Sequence, residues 1–143
     1  MYDTSLTRQS LPDERLRMLI GTALVVFNAN VQFLIENFLS NEANTEENWW
    51  TLMESEAGSI FGKTKENFVR KNHQDIVDLF NGLKNRRNRI IHSFQFSHED
   101  SSQGIATLVR KTHEQFEIDE TYLLTFIRDN GKLNDLLHEF RGY

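Results

Sequence analysis

No cysteine occurs in the 143 residues, which removes disulfides, a thiolate-held zinc and a catalytic thiol from consideration. Proline occurs once, at Pro12, immediately before "DERLRML", the position of a helix start. An excess of positive charge is also missing: the net charge of -5 argues against a surface that coats nucleic acid non-specifically, because such binding rests on many phosphate contacts. The N-terminus lacks the cationic start, apolar run and small-residue cleavage site of a secretory signal, so no export is expected. A clean apolar run is lacking too. "MLIGTALVVFNANVQFLIENFL" carries Asn28, Asn30, Gln32 and Glu36, which points to a buried helix rather than a membrane span, and to a cytoplasmic protein with no membrane partner.

What is present is a soluble, globular composition, with 38% hydrophobic, 26% charged and 11% aromatic residues. The length suits one domain over residues 1–143, enough to bury a core without staples. Charge is segregated along it. Lys84, Arg86, Arg87 and Arg89 place four of the sixteen basic residues within six positions, whereas Glu42 to Glu56 holds five glutamates and no base. Any polyanion site must therefore be local.

Apolar residues from Leu16 to Phe38 recur at three- and four-residue steps, predicting one long helix that ends near Leu39 after a polar, aperiodic stretch over residues 1–12. "SNEANTEEN" reads as a loop, and a shorter helix is expected from Glu46 to Ser59, closed by Gly58 and Gly62. Helical spacing returns from Glu66 to Ile91, with Asn72 as a break. "QFSHEDSSQG" has the composition of a loop, and "IATLVRK" and "EQFEI" read as a small hairpin about "KTH". A last helix starts at "IDETYLLTFI", with Asp119 as N-cap and Ile118 against Leu123 as a hydrophobic staple, and runs to Phe140, weakened at Gly131. The expected fold is all-α: a bundle of four to five helices with a β-hairpin inserted before the last.

The stretch "LKNRRNRIIHSF", Leu83 to Phe94, concentrates the chemistry. Its plainest reading is a cationic helix end complementing the negative pole of the helix, each charge contributing about 0.3–1 kcal/mol. A second reading uses the residue types. Arginine offers a permanently charged fork matched to phosphate, and histidine takes and gives protons near neutrality. Cleaving RNA without a metal requires deprotonation of the attacking 2′-hydroxyl, a counter-charge for the phosphorane and a proton for the leaving 5′-oxygen. Asn88 and His92 share a helix face, but Arg87 and His92 diverge by about 140° on a straight helix. Convergence needs the helix to end near Ile91, or two chains to share a site.

"RNRIIHSF" resembles the signature of the HEPN superfamily, an arginine followed by four to six residues and a histidine, with Asn, Asp or His favoured directly after the arginine. Arg87, Asn88 and His92 match it in order, and Arg86 fits the longer spacing. The resemblance implies a compact helical domain that dimerises with both motifs lining one cleft, and a metal-independent endoribonuclease of a toxin–antitoxin, defence or stress system. It implies catalytic Arg87, Asn88 and His92, phosphate contacts from Arg86, Lys84 and Arg89, RNA as substrate, no metal or other cofactor, and an antitoxin or neighbouring-gene partner. Phe94 stands where the toxin subgroup has a tyrosine that its partner nucleotidyltransferase modifies. The competing expectation is a non-catalytic module of the same type that dimerises or binds a partner.

Other features are assigned structural roles. His73, His98, His113 and His138 have no metal-binding spacing and are expected at the surface. Of Trp49 and Trp50, adjacent in sequence, only one can face a core. Lys63, Lys65, Arg70 and Lys71 read as a solvated face, and Gly58-x-x-x-Gly62 lacks the lysine and hydroxyl of a phosphate loop. A DNA-reading element with the hairpin as a wing is disfavoured, because no two compact helices are joined by a short turn.

Overall fold

A computed structural model describes residues 6–42 and 45–142. Residues 1–5 of the polar N-terminal stretch, and 43–44 of the expected loop, lie outside the described residues. The elements in chain order are α1 (Glu14–Asn41), α2 (Trp49–Glu54), α3 (Ala57–Arg70), α4 (Gln74–Ile91), β1 (Phe94–Ser97), β2 (Gln103–Val109), β3 (Glu114–Glu117) and α5 (Glu120–Arg141). The fold is mainly helical, with an antiparallel sheet in the order β1-β2-β3.

α1 begins just after Pro12, as expected, with Asp13 as its cap, the Asp13 carboxylate accepting from the Leu16 amide at 2.8 Å. It packs most extensively on α5. Two buried asparagines set that pairing: Asn30 Nδ2 donates to the Asn130 carbonyl and to Asn130 Oδ1, at 2.8 and 3.0 Å. Because a buried amide without a partner costs about 1–3 kcal/mol, this bond fixes one register of α1 on α5. By length and composition α1 could also cross a membrane, although a third of its most apolar window is buried within the fold. The centre of the core is aromatic, with Phe27 stacked between Phe80 at 6.0 Å and Phe126 at 6.1 Å.

Three expectations are corrected. The helix expected over Glu46–Ser59 is two helices, separated at Ser55 and Glu56, both extended. Ser55 ends α2 by donating its amide to the Leu52 carbonyl and its hydroxyl to the Thr51 carbonyl, competing with a further helical turn. Gly58 and Gly62 then lie inside α3 and close nothing. The helix expected to start at Glu66 is already under way there, because α3 runs from Ala57 to Arg70, while its expected break at Asn72 is present. Asn72 has φ 65°, and the amides of Asn72 and His73 donate back to Val69 and Phe68, so a residue tolerant of the left-handed region closes α3. The all-α bundle with a two-stranded hairpin has instead a three-stranded sheet, because Phe94–Ser97, all but Phe94 in the expected loop, pairs with β2 in the register Phe94↔Ala106.

The hairpin of β2 and β3 and the start of α5 lie where expected. β2 is central and buried from Gly104 to Thr107, and it packs on α4. Asp119 caps α5 by accepting from the Tyr122 amide at 2.9 Å, and Ile118 and Leu123 are both fully buried. Trp49 is half-buried against the core while Trp50 is 75% exposed.

His113 and His138 are exposed, as expected, while His73 and His98 are partly buried. His73 stacks edge-on against Phe140, and His138 against Phe33. His98 bridges Ser102 and Glu117, a path kept open by Gly104, since a β-carbon there would approach the His98 ring to 2.7 Å.

Candidate functional site

The last turns of α4 carry the motif, and the way the helix stops decides what it can do. α4 ends at Ile91, and His92 is its C-cap, with φ -93° and ψ 23°. Its amide still donates to the Asn88 carbonyl at 3.0 Å. Ser93 then turns its amide and its hydroxyl onto the Ile90 carbonyl, and the chain leaves as β1. The helix therefore ends at Ile91, with His92 as its cap.

Arg87, Asn88 and His92 line one cavity of about 670 Å³, together with Lys84 from the preceding turn. Its walls include Phe27, Asn28 and Val31 of α1, and Ser55, Glu56 and Ala57 at the break between α2 and α3. That break, absent from the sequence expectation, is what opens this wall. His92 is exposed, and its ring makes no hydrogen bond among the described residues.

The four cations of the stretch have four different fates. Arg86 forms an ion pair with Asp129 of α5 at 2.8 Å, with both side chains less than a third exposed. Its guanidinium also lies over the Phe126 ring, 5.5 Å from the centroid, and its carbonyl accepts from the Tyr122 hydroxyl at 3.2 Å. Arg86, expected to contact phosphate, thus faces α5 and does not enter the cavity. Arg89 donates to the Leu108 carbonyl at 3.0 Å and lies outside it too. Lys84 reaches over the Phe61 ring at 5.1 Å.

Arg87 is the exception. It is half-buried with its guanidinium 5.1 Å from the Phe27 centroid, and it forms no ion pair or hydrogen bond among the described residues. Its Nε is buried without an acceptor. Leaving such an N–H without an acceptor costs about 1–3 kcal/mol. Burial lowers the Arg87 pKa from its ordinary value, and the charge of Glu56 opposes that shift. Arg87 is thus a partly desolvated cation on which the Glu56 charge acts.

Asn28, Ser55 and Glu56 line the cavity without having been singled out as site residues. Asn28 follows Phe27 in an apolar helix, a polar side chain that the core does not need. Ser55 and Glu56 give no local signal, because the apolar spacing runs through them. Glu56 is the one acidic residue of this wall, and it favours the charged form of Arg87. Among the described residues, no three His, Asp or Glu side chains come together to hold a metal.

Compared with models of protein families, with curated proteins and with solved structures, the chain matches none. What this cavity does is therefore read from its own side chains.

Proposed function

We propose that this chain is a metal-independent endoribonuclease of the HEPN type, working as a homodimer in the cytoplasm. The observation that carries this reading is the shared cavity of Arg87, Asn88 and His92, with the charge of Arg87 desolvated and unpaired. The ribose 2′-oxygen attacks phosphorus as an imidazole nitrogen of His92 takes its proton. The guanidinium of Arg87 and the ammonium of Lys84 hold the charge gathering on the non-bridging oxygens. The P–O5′ bond breaks, and the leaving oxygen takes a proton from an imidazolium, which the second chain's copy of His92 supplies in a dimer. The products are a 2′,3′-cyclic phosphate and a 5′-hydroxyl. Asn88 orients the phosphate or the imidazole between them.

Dimerisation is supported by apolar surface at the cavity rim: Met53 and Ile91 are 43% and 48% exposed, and Trp50 lies one turn before Met53. The buried bond of Asn30 to Asn130 supports α1 as a bundle helix over a membrane span. The same apolar rim favours a second reading, a non-catalytic module that docks a partner protein and uses its cations for contact.

Incubating total RNA with the wild type and with His92→Ala, in excess chelator, tests the proposal. The expected result is cleavage to cyclic-phosphate ends by the wild type, lost by a factor of about 10²–10⁴ in the variant. Undiminished cleavage by His92→Ala rejects it. A stable wild-type dimer that leaves every RNA intact favours the docking module.

A further inference from the structure

The last turn of α4 borders more than one depression. His92 also lines a second groove, of about 580 Å³, with Arg89, Arg110 and Lys111. Asn88 also lines a third, of about 530 Å³, with Arg89, Lys111, Phe116 and Tyr122. Asn88 and His92 are thus common walls between the Arg87 cavity and the sheet side of the molecule. A ligand held at Arg87 and crossing His92 arrives at the turn between β2 and β3.

That turn is built to present charge. His113, at φ 59°, closes it by donating its amide to the Val109 carbonyl at 2.7 Å, which sets Arg110 and Lys111 side by side at its exposed edge. Neither forms an ion pair among the described residues. Arg89 reaches the same place from α4, with one terminal nitrogen on the Leu108 carbonyl, so its charge is held at the edge of β2. Three basic side chains line this groove in a chain whose net charge is -5. Beside them Phe116 and Tyr122 form a tilted aromatic pair at 5.9 Å, each half-buried, with the Tyr122 hydroxyl fixed on the Arg86 carbonyl.

Cations that track a backbone next to aromatic faces that accept a base are the recurring chemistry of single-strand binding. A duplex keeps its bases stacked inward and cannot offer one to a recess of this size. We propose that Arg89, Arg110 and Lys111, with the Phe116–Tyr122 recess, form a second subsite, which holds the sugar–phosphate backbone and one unstacked base of single-stranded RNA flanking the bond at His92. This subsite rests on the ribonuclease reading for its role in turnover, but not for its affinity.

The test uses full-length chain carrying His92→Ala as a non-cleaving background and a fluorescently labelled, unstructured 12-nucleotide RNA. Arg110→Glu/Lys111→Glu in that background is expected to weaken binding at least tenfold and to reduce the log–log salt slope by about 1.4, two phosphate contacts at about 0.7 each. A duplex of the same sequence is expected to bind at least tenfold more weakly than the single strand. In the cleaving chain, the same double substitution raises KM and leaves kcat near its wild-type value. Unchanged affinity and salt slope in the double variant overturns the subsite, as does equal affinity for duplex and single strand, or no binding of either RNA. RNA binding that depends on Arg110 and Lys111, in a protein that cleaves nothing, supports the subsite and rejects the nuclease. Cleavage with unchanged KM and affinity does the reverse.

Discussion

The two sides of the last turns of α4 differ by one residue in sequence and by an ion pair in space. Toward α5, Arg86 has a carboxylate, an aromatic face and a tyrosine that clamps its own backbone. Toward α1 and the break between α2 and α3, Arg87 has an aromatic face and an orphan N–H. Both guanidiniums lie over rings of the same stacked pair, Phe126 and Phe27. A protein that wanted only packing could treat both sides alike. The difference says that the α5 side holds the helix in place and the α1 side leaves a charge available.

The comparison breaks most visibly in stability. Arg86→Met leaves Asp129 with only Lys132, at 3.4 Å, and is expected to cost about 1–3 kcal/mol, below the cost of exposing a fully buried charge because the pair is partly solvated. Arg87→Met removes a desolvated, unpaired cation and is expected to leave the urea midpoint unchanged or raised. Urea denaturation of the two variants beside the wild type measures both. A loss in Arg87→Met equal to that in Arg86→Met would erase the distinction.

A smaller effect comes with pH. Burial pushes the Asp129 carboxyl up, but the hydrogen bond and charge of Arg86, with Lys132, outweigh it and hold the carboxyl below its ordinary value. A carboxyl depressed on folding contributes stability above its unfolded value near pH 4, and loses it as pH falls through the lower folded value. The gap in urea midpoint between wild type and Asp129→Asn is therefore expected to be largest at pH 6–7 and to shrink below about pH 4. A gap that is flat across this range would mean that the Arg86–Asp129 pair does not hold the α5 side.

Much of this arrangement is legible in the sequence. The start of α1 followed from Pro12, the start of α5 from Asp119, and the α3–α4 interruption from Asn72, each a local chemical signal. Counting residues between Arg87 and His92 called for either a helix end near Ile91 or a site shared by two chains, and the helix does end at Ile91. Other features were hidden for physical reasons. The break at Ser55 was masked because apolar residues from Trp49 to Ile60 keep helical spacing across it, and the glycines at 58 and 62 offered a false end. β1 was missed because it has four residues, three of them exposed, and so carries no burial pattern. Nothing local separates Arg86 from Arg87, since the partner that distinguishes them, Asp129, is 43 positions away. Arg110 and Lys111 stood at the end of the strand run "IATLVRK", and nothing local placed them beside Arg89.

The central claim is that Arg87 is held unpaired for a scissile phosphate while its neighbour Arg86 is spent on structure. Its most direct test is the cleavage rate of one RNA by Arg87→Met and by Arg86→Met, in chelator and at a temperature where both variants are folded by circular dichroism. The account predicts that Arg87→Met is slower by about 10²–10³ and that Arg86→Met stays close to the wild-type rate. Equal slowing in the two variants, or a wild-type rate in Arg87→Met, would contradict it.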